Sequence, residues 1–163
     1  MPSVDVVSTV DMQALDNAVN NLKREITTRY DFRNMVTEIV LNKKDKQIHI
    51  LSGDDGKVKA ITEGLIGQAV RFKVDPKSLD FKPIEATSQG KAKTEVHIKE
   101  GIPKETAQKI VKFIKGLNLK VQPAIQDDQV RITGKQIDDL QAVMQELRAQ
   151  DYDVALQFVN MKR

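Results

Sequence analysis

Six consecutive residues, Arg29-Tyr30-Asp31-Phe32-Arg33-Asn34, gather much of the chain's chemical potential where a helix is expected to end. Two arginines bracket an aromatic, an acid and a second aromatic. A guanidinium is a planar fork that engages two phosphate oxygens at once and also stacks on purine rings. An architectural account fits the same residues: Arg29 relieves the helix C-terminus, Arg33 pairs with Asp31, and Tyr30 and Phe32 pack. A second set lies near residue 131. Alternation along 129–133 places Arg131 with Gln129 and Thr133 on the outward face of a strand, and Lys135 follows in the turn entering a helix, where free amides favour an anion.

Other constellations are weaker. The turns SGDDGK (52–57) and TGKQIDD (133–139) open helices, but Asp54, Asp55, Asp138 and Asp139 already supply the negative charge that a helix N-terminus prefers. Neither contains GxxxxGK[ST], which excludes a P-loop. Lys109, Lys112 and Lys115 fall opposite an apolar stripe and, with Lys120, make a solvated basic face. Catalysis finds little material: the two histidines, His49 and His97, sit in no metal-ligand spacing, there is no GxSxG, and the carboxylates form no recognisable acid–base pair. With no cysteine there is no thiol nucleophile or thiolate metal site. The expectation is a protein without enzymatic activity, metal or cofactor.

These residues need elements to hold them. Val4 and Val6 mark a first strand, and Asp11 caps a helix whose Met12, Leu15, Val19, Leu22 and Ile26 form one apolar stripe ending near Arg29. Residues 36–42 and 46–52 flank Lys43-Lys44-Asp45 as a hairpin, and a helix with Val58, Ile61, Leu65 and Phe72 inside follows. Pro83 makes 79–86 an edge strand or a bulge. Beyond the turn Thr87-Ser88-Gln89-Gly90 the pattern recurs: a strand over 92–98, a helix with Ala107, Ile110, Ile114 and Leu117, a hairpin over 120–133, a helix with Ile137, Leu140, Met144 and Leu147, and a strand over 154–160.

The order is β-α-β-β-α-β twice, an α+β chain of two ferredoxin-like halves, each an antiparallel four-stranded sheet with two helices on one face. The expected domains are 1–86 and 91–163, with the boundary near 87–90. The terminal strands are plausible edges, so each can stay in its own half or be exchanged. This topology also serves ribonucleoprotein-type RNA binding, but the hairpin strands carry no Phe, Tyr or Trp for stacking bases.

Bulk properties agree. The chain has 163 residues, is 40% hydrophobic and 30% charged, and carries a net charge of +3, which describes a globular protein and not an avid non-specific nucleic-acid binder. Apolar runs reach only three residues, so no membrane span is expected. The opening residues have neither a basic region nor an apolar stretch, and cytoplasm is the expected location.

PSVDVVSTVDMQALDNAVNN, RYDFRN, and GIPKETAQKIVKFIKGLNLKVQPAIQDDQVRITGKQIDDLQAVMQELR resemble the bacterial YajQ family closely, in register from residue 2 to the LQFVNMKR end, with 53–95 the loosest part. The resemblance implies two ferredoxin-like domains, nucleotide binding and no established catalysis; members are described as cyclic di-GMP effectors or as binding GTP, ATP or transfer RNA. With it, the residues above become an expectation. Arg29, Arg33, Arg131 and Lys135 would hold the phosphates of a nucleotide, cyclic di-GMP or a purine mononucleotide, with the base in a groove between domains. An RNA-associated module or a protein adaptor, its partner unknown, is the alternative.

Overall fold

A computed structural model describes residues 1–163. Its elements are β1 (Ser3–Val7), α1 (Met12–Thr28), β2 (Glu38–Asn42), β3 (Gln47–Ser52), α2 (Asp55–Arg71), β4 (Leu79–Phe81), β5 (Glu85–Ala86), β6 (Ala92–Ile98), α3 (Lys104–Gly116), β7 (Val121–Gln126), β8 (Gln129–Gly134), α4 (Ile137–Arg148) and β9 (Gln157–Lys162). Short 3-10 turns occupy Tyr30–Phe32 and Pro76–Ser78. No helix is long and apolar enough to cross a membrane.

The helices form where the sequence supplies both stripe and cap. Asp11 accepts hydrogen bonds from the amides of Gln13 and Ala14, and Asp54 from that of Lys57, satisfying donors that a helix start leaves unpaired. Leu15, Val19, Leu22 and Ile26 are buried, as are Val58, Ile61 and Leu65 of α2. Phe72, expected inside, instead caps α2 half-buried, and Val74 takes the buried place. Gly67 lies in α2 with nothing within 4 Å of where a Cβ would stand. Gly67→Ala is therefore expected to raise stability by about 1 kcal/mol through helix propensity alone, which urea unfolding would read.

Two antiparallel sheets have the strand orders β7-β8-β1-β9 and β2-β3-β6-β4, with β5 also pairing β6. The chain divides into residues 1–9 with 100–163, and residues 10–99. This division crosses the chain at 9/10 and 99/100, whereas the sequence places the expected boundary near 87–90 with terminal strands free to cross over. Thr87–Gly90 closes a hairpin instead: the Thr87 amide donates to the Lys91 carbonyl, Gly90 takes a φ of 78°, and Glu85 and Ala86 pair with Lys93 and Ala92.

In the unit of 1–9 and 100–163 the order β1-α3-β7-β8-α4-β9 is a ferredoxin-like fold, with β1 central. In residues 10–99 the central place belongs to β6, which comes last in sequence, so this unit has the same spatial order in circularly permuted form. Burial explains which strands go to the centre. All of Val4–Val7 is buried in β1, and Ala92, Thr94, Val96 and Ile98 are buried in β6. The last strand begins three residues later than its apolar run. Val154 and Ala155 are buried outside it, and the β1–β9 register shifts between Ser3 and Asp5, with Asn160 at a φ of 55°.

Each core is made by helix stripes meeting one face of its sheet: Leu22, Ile48, Ile50, Ile61, Leu65 and Val96 in residues 10–99, and Val6, Ile110, Ile114, Ile132, Leu140 and Leu147 in the other unit. Each such side chain contributes about 1.5–3 kcal/mol when fully buried.

Candidate functional site

The site is built where α1 stops. Its last turn has no basic residue; Thr27 and Thr28 donate their hydroxyls to the carbonyls of Lys23 and Glu25, and the Arg29 amide closes on Ile26. Arg29 is extended, residues 30–32 make one 3-10 turn, and Asn34 adopts a φ of 59°, which asparagine tolerates better than most residues. The turn drives Phe32 inward, to 6% exposure, and leaves Tyr30 outward.

The charges then sort themselves around the rings. Arg29 Nε and Nη2 donate to the two Asp31 carboxylate oxygens at 3.0 and 2.7 Å, and Lys57 Nζ, from the first turn of α2, stands 3.8 Å from Asp31 Oδ2. Arg29 and Lys57 lie over the Phe32 ring at 5.2 and 5.4 Å, and Arg33 lies over Tyr30 at 5.8 Å. The Arg29 hydrogen bond, opposed by slight desolvation and helped by the charges of Arg29 and Lys57, holds the Asp31 carboxyl below its usual value. The expected Arg33–Asp31 pair is thus replaced by Arg29–Asp31, which leaves the Arg33 guanidinium stacked on a ring and unpaired.

Beside this turn a cavity of about 580 Å³ is bounded by Lys23, Ile26 and Thr27 of α1, by Phe32–Met35, and by Thr37–Val40 leading into and along β2. Its wall is apolar at Ile26, Phe32, Met35, Ile39 and Val40, polar at Thr27, Asn34 and Thr37, cationic at Lys23 and Arg33, and anionic at Glu38. Gly53 lies against Met35: a Cβ there would approach Met35 Sδ to 2.7 Å, so the methionine side chain would have to shift. Ser52 Oγ donates to that sulfur at 3.5 Å and shares a 3.0 Å hydrogen bond with Thr37 Oγ1, fixing one wall.

The other two expected residues are in the other unit and are not grouped with a cavity of this kind. Arg131 gives Nε and Nη2 to Asp5 at 2.8 and 3.3 Å, and Asn160 adds a third donor at 3.0 Å. Its guanidinium is committed to a neighbour on its own sheet. Lys135 is exposed before α4, whose first turn carries Asp138 and Asp139. His49 pairs with Glu95 at 2.6 Å on the open face of the β2-β3-β6-β4 sheet, and no three His, Cys, Asp or Glu are arranged to hold a metal.

The family model described as "Nucleotide-binding protein YajQ-like" matches residues 2–162. The chain belongs to the YajQ-like family. It is 62% identical over 162 residues to a "Nucleotide-binding protein" of Nitratidesulfovibrio vulgaris, covering 99% of both chains. A nucleotide-binding protein of Dehalococcoides mccartyi is 62% identical over 163 residues, all of both chains, and one of Cytophaga hutchinsonii is 48% identical over 162 residues, 99% of this chain and all of that one. The YajQ-like description names binding and no reaction.

Within this YajQ-like chain, sequence reasoning missed Lys57, Lys23 and Glu38. Lys57 stands in SGDDGK, a turn noted for its aspartates, and its approach to Asp31 depends on α1 packing against α2. No local pattern reports that distance. Lys23 had a signal: it lies three residues before the buried Ile26 and six before Arg29, on the helix that leads into the arginine segment.

Proposed function

We propose that this chain binds a purine nucleotide, with cyclic di-GMP as the leading candidate, as a non-enzymatic sensor or effector, and that the cavity beside the Arg29–Asn34 turn receives it. One observation carries the reading: a cavity of about 580 Å³ joins an apolar wall to the unpaired Arg33 and to Lys23. Ligand sites commonly have about 300–1,000 Å³, mostly apolar lining and a few convergent polar groups. A base fits against Phe32, Met35 and Ile39, while Arg33 and Lys23 meet phosphate oxygens. Arg131 serves the sheet in this reading, and Lys135 stays outside the site.

Calorimetric titration of the nucleic-acid-free protein with cyclic di-GMP, GTP and ATP tests it. Arg33→Ala is expected to weaken the bound nucleotide at least about tenfold, the worth of one charge-assisted contact. Unchanged affinity in Arg33→Ala, with affinity lost in Arg131→Ala, would move the site to the other unit.

RNA association has one observation of its own. Residues 104–120 hold five lysines and one glutamate, so this segment alone outweighs the chain's net charge of +3. Lys104, Lys109, Lys112, Lys115 and Lys120 are all exposed. Binding to transfer RNA would then weaken with salt, log K falling by about 0.7 per neutralised phosphate per tenfold salt on a single strand. A small nucleotide would show a far shallower slope.

A further inference from the structure

The Arg29–Asp31–Lys57 cluster lies outside the cavity lining but shares Phe32 with it. Two cations from different helical regions, Arg29 after α1 and Lys57 in α2, converge on one carboxylate above one buried ring. The carboxylate carries one charge and two oxygens, and Lys57 reaches it only at 3.8 Å, beyond a good hydrogen bond. One ammonium and one guanidinium are therefore incompletely satisfied by Asp31. A phosphoryl group brings more oxygens and, when terminal, up to two charges, and it can meet the guanidinium fork and the ammonium together. Asp31 follows Arg29 by two residues and sits in a one-turn 3-10 segment with 40% of its side chain exposed, so nothing buries it in place.

We infer that Arg29 and Lys57 form an oxyanion seat for a phosphoryl group, occupied in the free protein by Asp31 as an internal counter-ion that the ligand displaces. The inference rests on the nucleotide reading above, since the Phe32 ring borders both the seat and the cavity: a base in the cavity would send its phosphates across that ring. The shared chemistry is that of phosphoryl oxygens, whether from a nucleotide or from a free polyphosphate. The internal carboxylate also sets selectivity. A lone singly charged anion gains little by exchanging with Asp31, whereas a ligand that brings two or more phosphoryl charges, a di- or triphosphate or the paired diesters of a cyclic dinucleotide, gains charge and hydrogen bonds.

The test is calorimetry at fixed ionic strength with GTP, GMP and inorganic pyrophosphate, on the parent, Asp31→Asn, Lys57→Gln and Arg33→Ala. Asp31→Asn is expected to tighten GTP and pyrophosphate several-fold by removing the competitor, and Lys57→Gln to weaken both about tenfold. GMP should respond less to either. Arg33→Ala separates the two ideas, since it should weaken both nucleotides, which the cavity holds, and weaken pyrophosphate less than Lys57→Gln does. If GTP binds and needs Arg33 but is indifferent to Asp31 and Lys57, the seat is wrong and the cavity stands. If pyrophosphate follows Asp31 and Lys57 while GTP ignores Arg33, the seat stands and the cavity reading falls. Weaker GTP and pyrophosphate binding in Asp31→Asn would make Asp31 a supporting residue and overturn its role as competitor. Failure of GTP and pyrophosphate to bind the parent overturns the seat, and failure of cyclic di-GMP as well overturns the cavity reading with it.

Discussion

Phe32→Ala is expected to destabilise the 10–99 unit by about 3 kcal/mol. Phe32 is 6% exposed and belongs to the same buried cluster as Ile26, Ile39 and Ile50. Truncating a buried phenylalanine removes transfer free energy and leaves a void, costing about 3–5 kcal/mol; the existing cavity alongside allows some collapse and places the estimate at the low end. Phe32→Leu should recover most of the loss, because apolar volume matters more here than aromaticity. Loss of the cation–ring contacts of Arg29 and Lys57, each worth about 0.5–1 kcal/mol at exposed sites, would persist in the leucine variant. Urea unfolding with amide exchange on β2 and β3 checks both. A change below about 1 kcal/mol for alanine would mean that the ring does not anchor the turn.

The legibility of the fold follows from which interactions are local. Stripes, caps and hairpins depend on residues three, four or two apart, and the elements fell close to their expected ranges; Asp11 caps α1 as its position indicates. Which sheet a strand joins is a different kind of fact. Ala92–Ile98 alternates in the same way whether it opens one half or fills the centre of the other, and only the partners Gln47–Ser52 and Leu79–Phe81 decide. The turn at Thr87–Gly90 has linker composition because the polar, glycine-containing sequence that suits a flexible linker also suits a tight turn, in which Gly90 takes a φ of 78°.

The site was legible to the extent that it is contiguous. Arg29 and Arg33 belong to one six-residue segment, and the turn presents both. What could not be read is how charge is spent. Asp31 lies two residues from either arginine, and helix-end geometry gives it to Arg29. Arg131 looked available because alternation puts it outward, yet Asp5 faces it across the β1–β8 pairing. Their separation of 126 residues in sequence leaves no local trace. Lys57 is the converse case, a charge brought to the site by helix packing.

The Asp5 carboxylate gives the second large effect and a pH signature. It is 2% exposed because Arg131 and Asn160 themselves cover it, although the sheet face beyond is open. The Arg131 hydrogen bond is the main influence, opposed by desolvation and helped by Asn160 and by the charges of Arg131 and Lys162; together they hold its pKa below the usual value. A depressed folded pKa means that ionised Asp5 favours the native state. That contribution is complete above the unfolded carboxyl pKa near 3.9 and is lost as pH falls through it toward the lower folded value. Asp5→Ala should cost about 2 kcal/mol at neutral pH, the scale of hydrogen bonds to a charged group, since Arg131 can turn to solvent when its partner is removed. Arg131→Met should be worse than Asp5→Ala at neutral pH, because it strands the carboxylate with Asn160 alone, and its penalty should shrink on acidification as Asp5 takes up a proton. Asp31 and Asp80 are also lowered, so the bare acid limb of the native protein mixes three groups; the difference between the native protein and Asp5→Asn isolates one. Urea midpoints measured from about pH 7 to pH 3 should show that difference narrowing, and a difference independent of pH would mean that Asp5 contributes through packing and not through its charge.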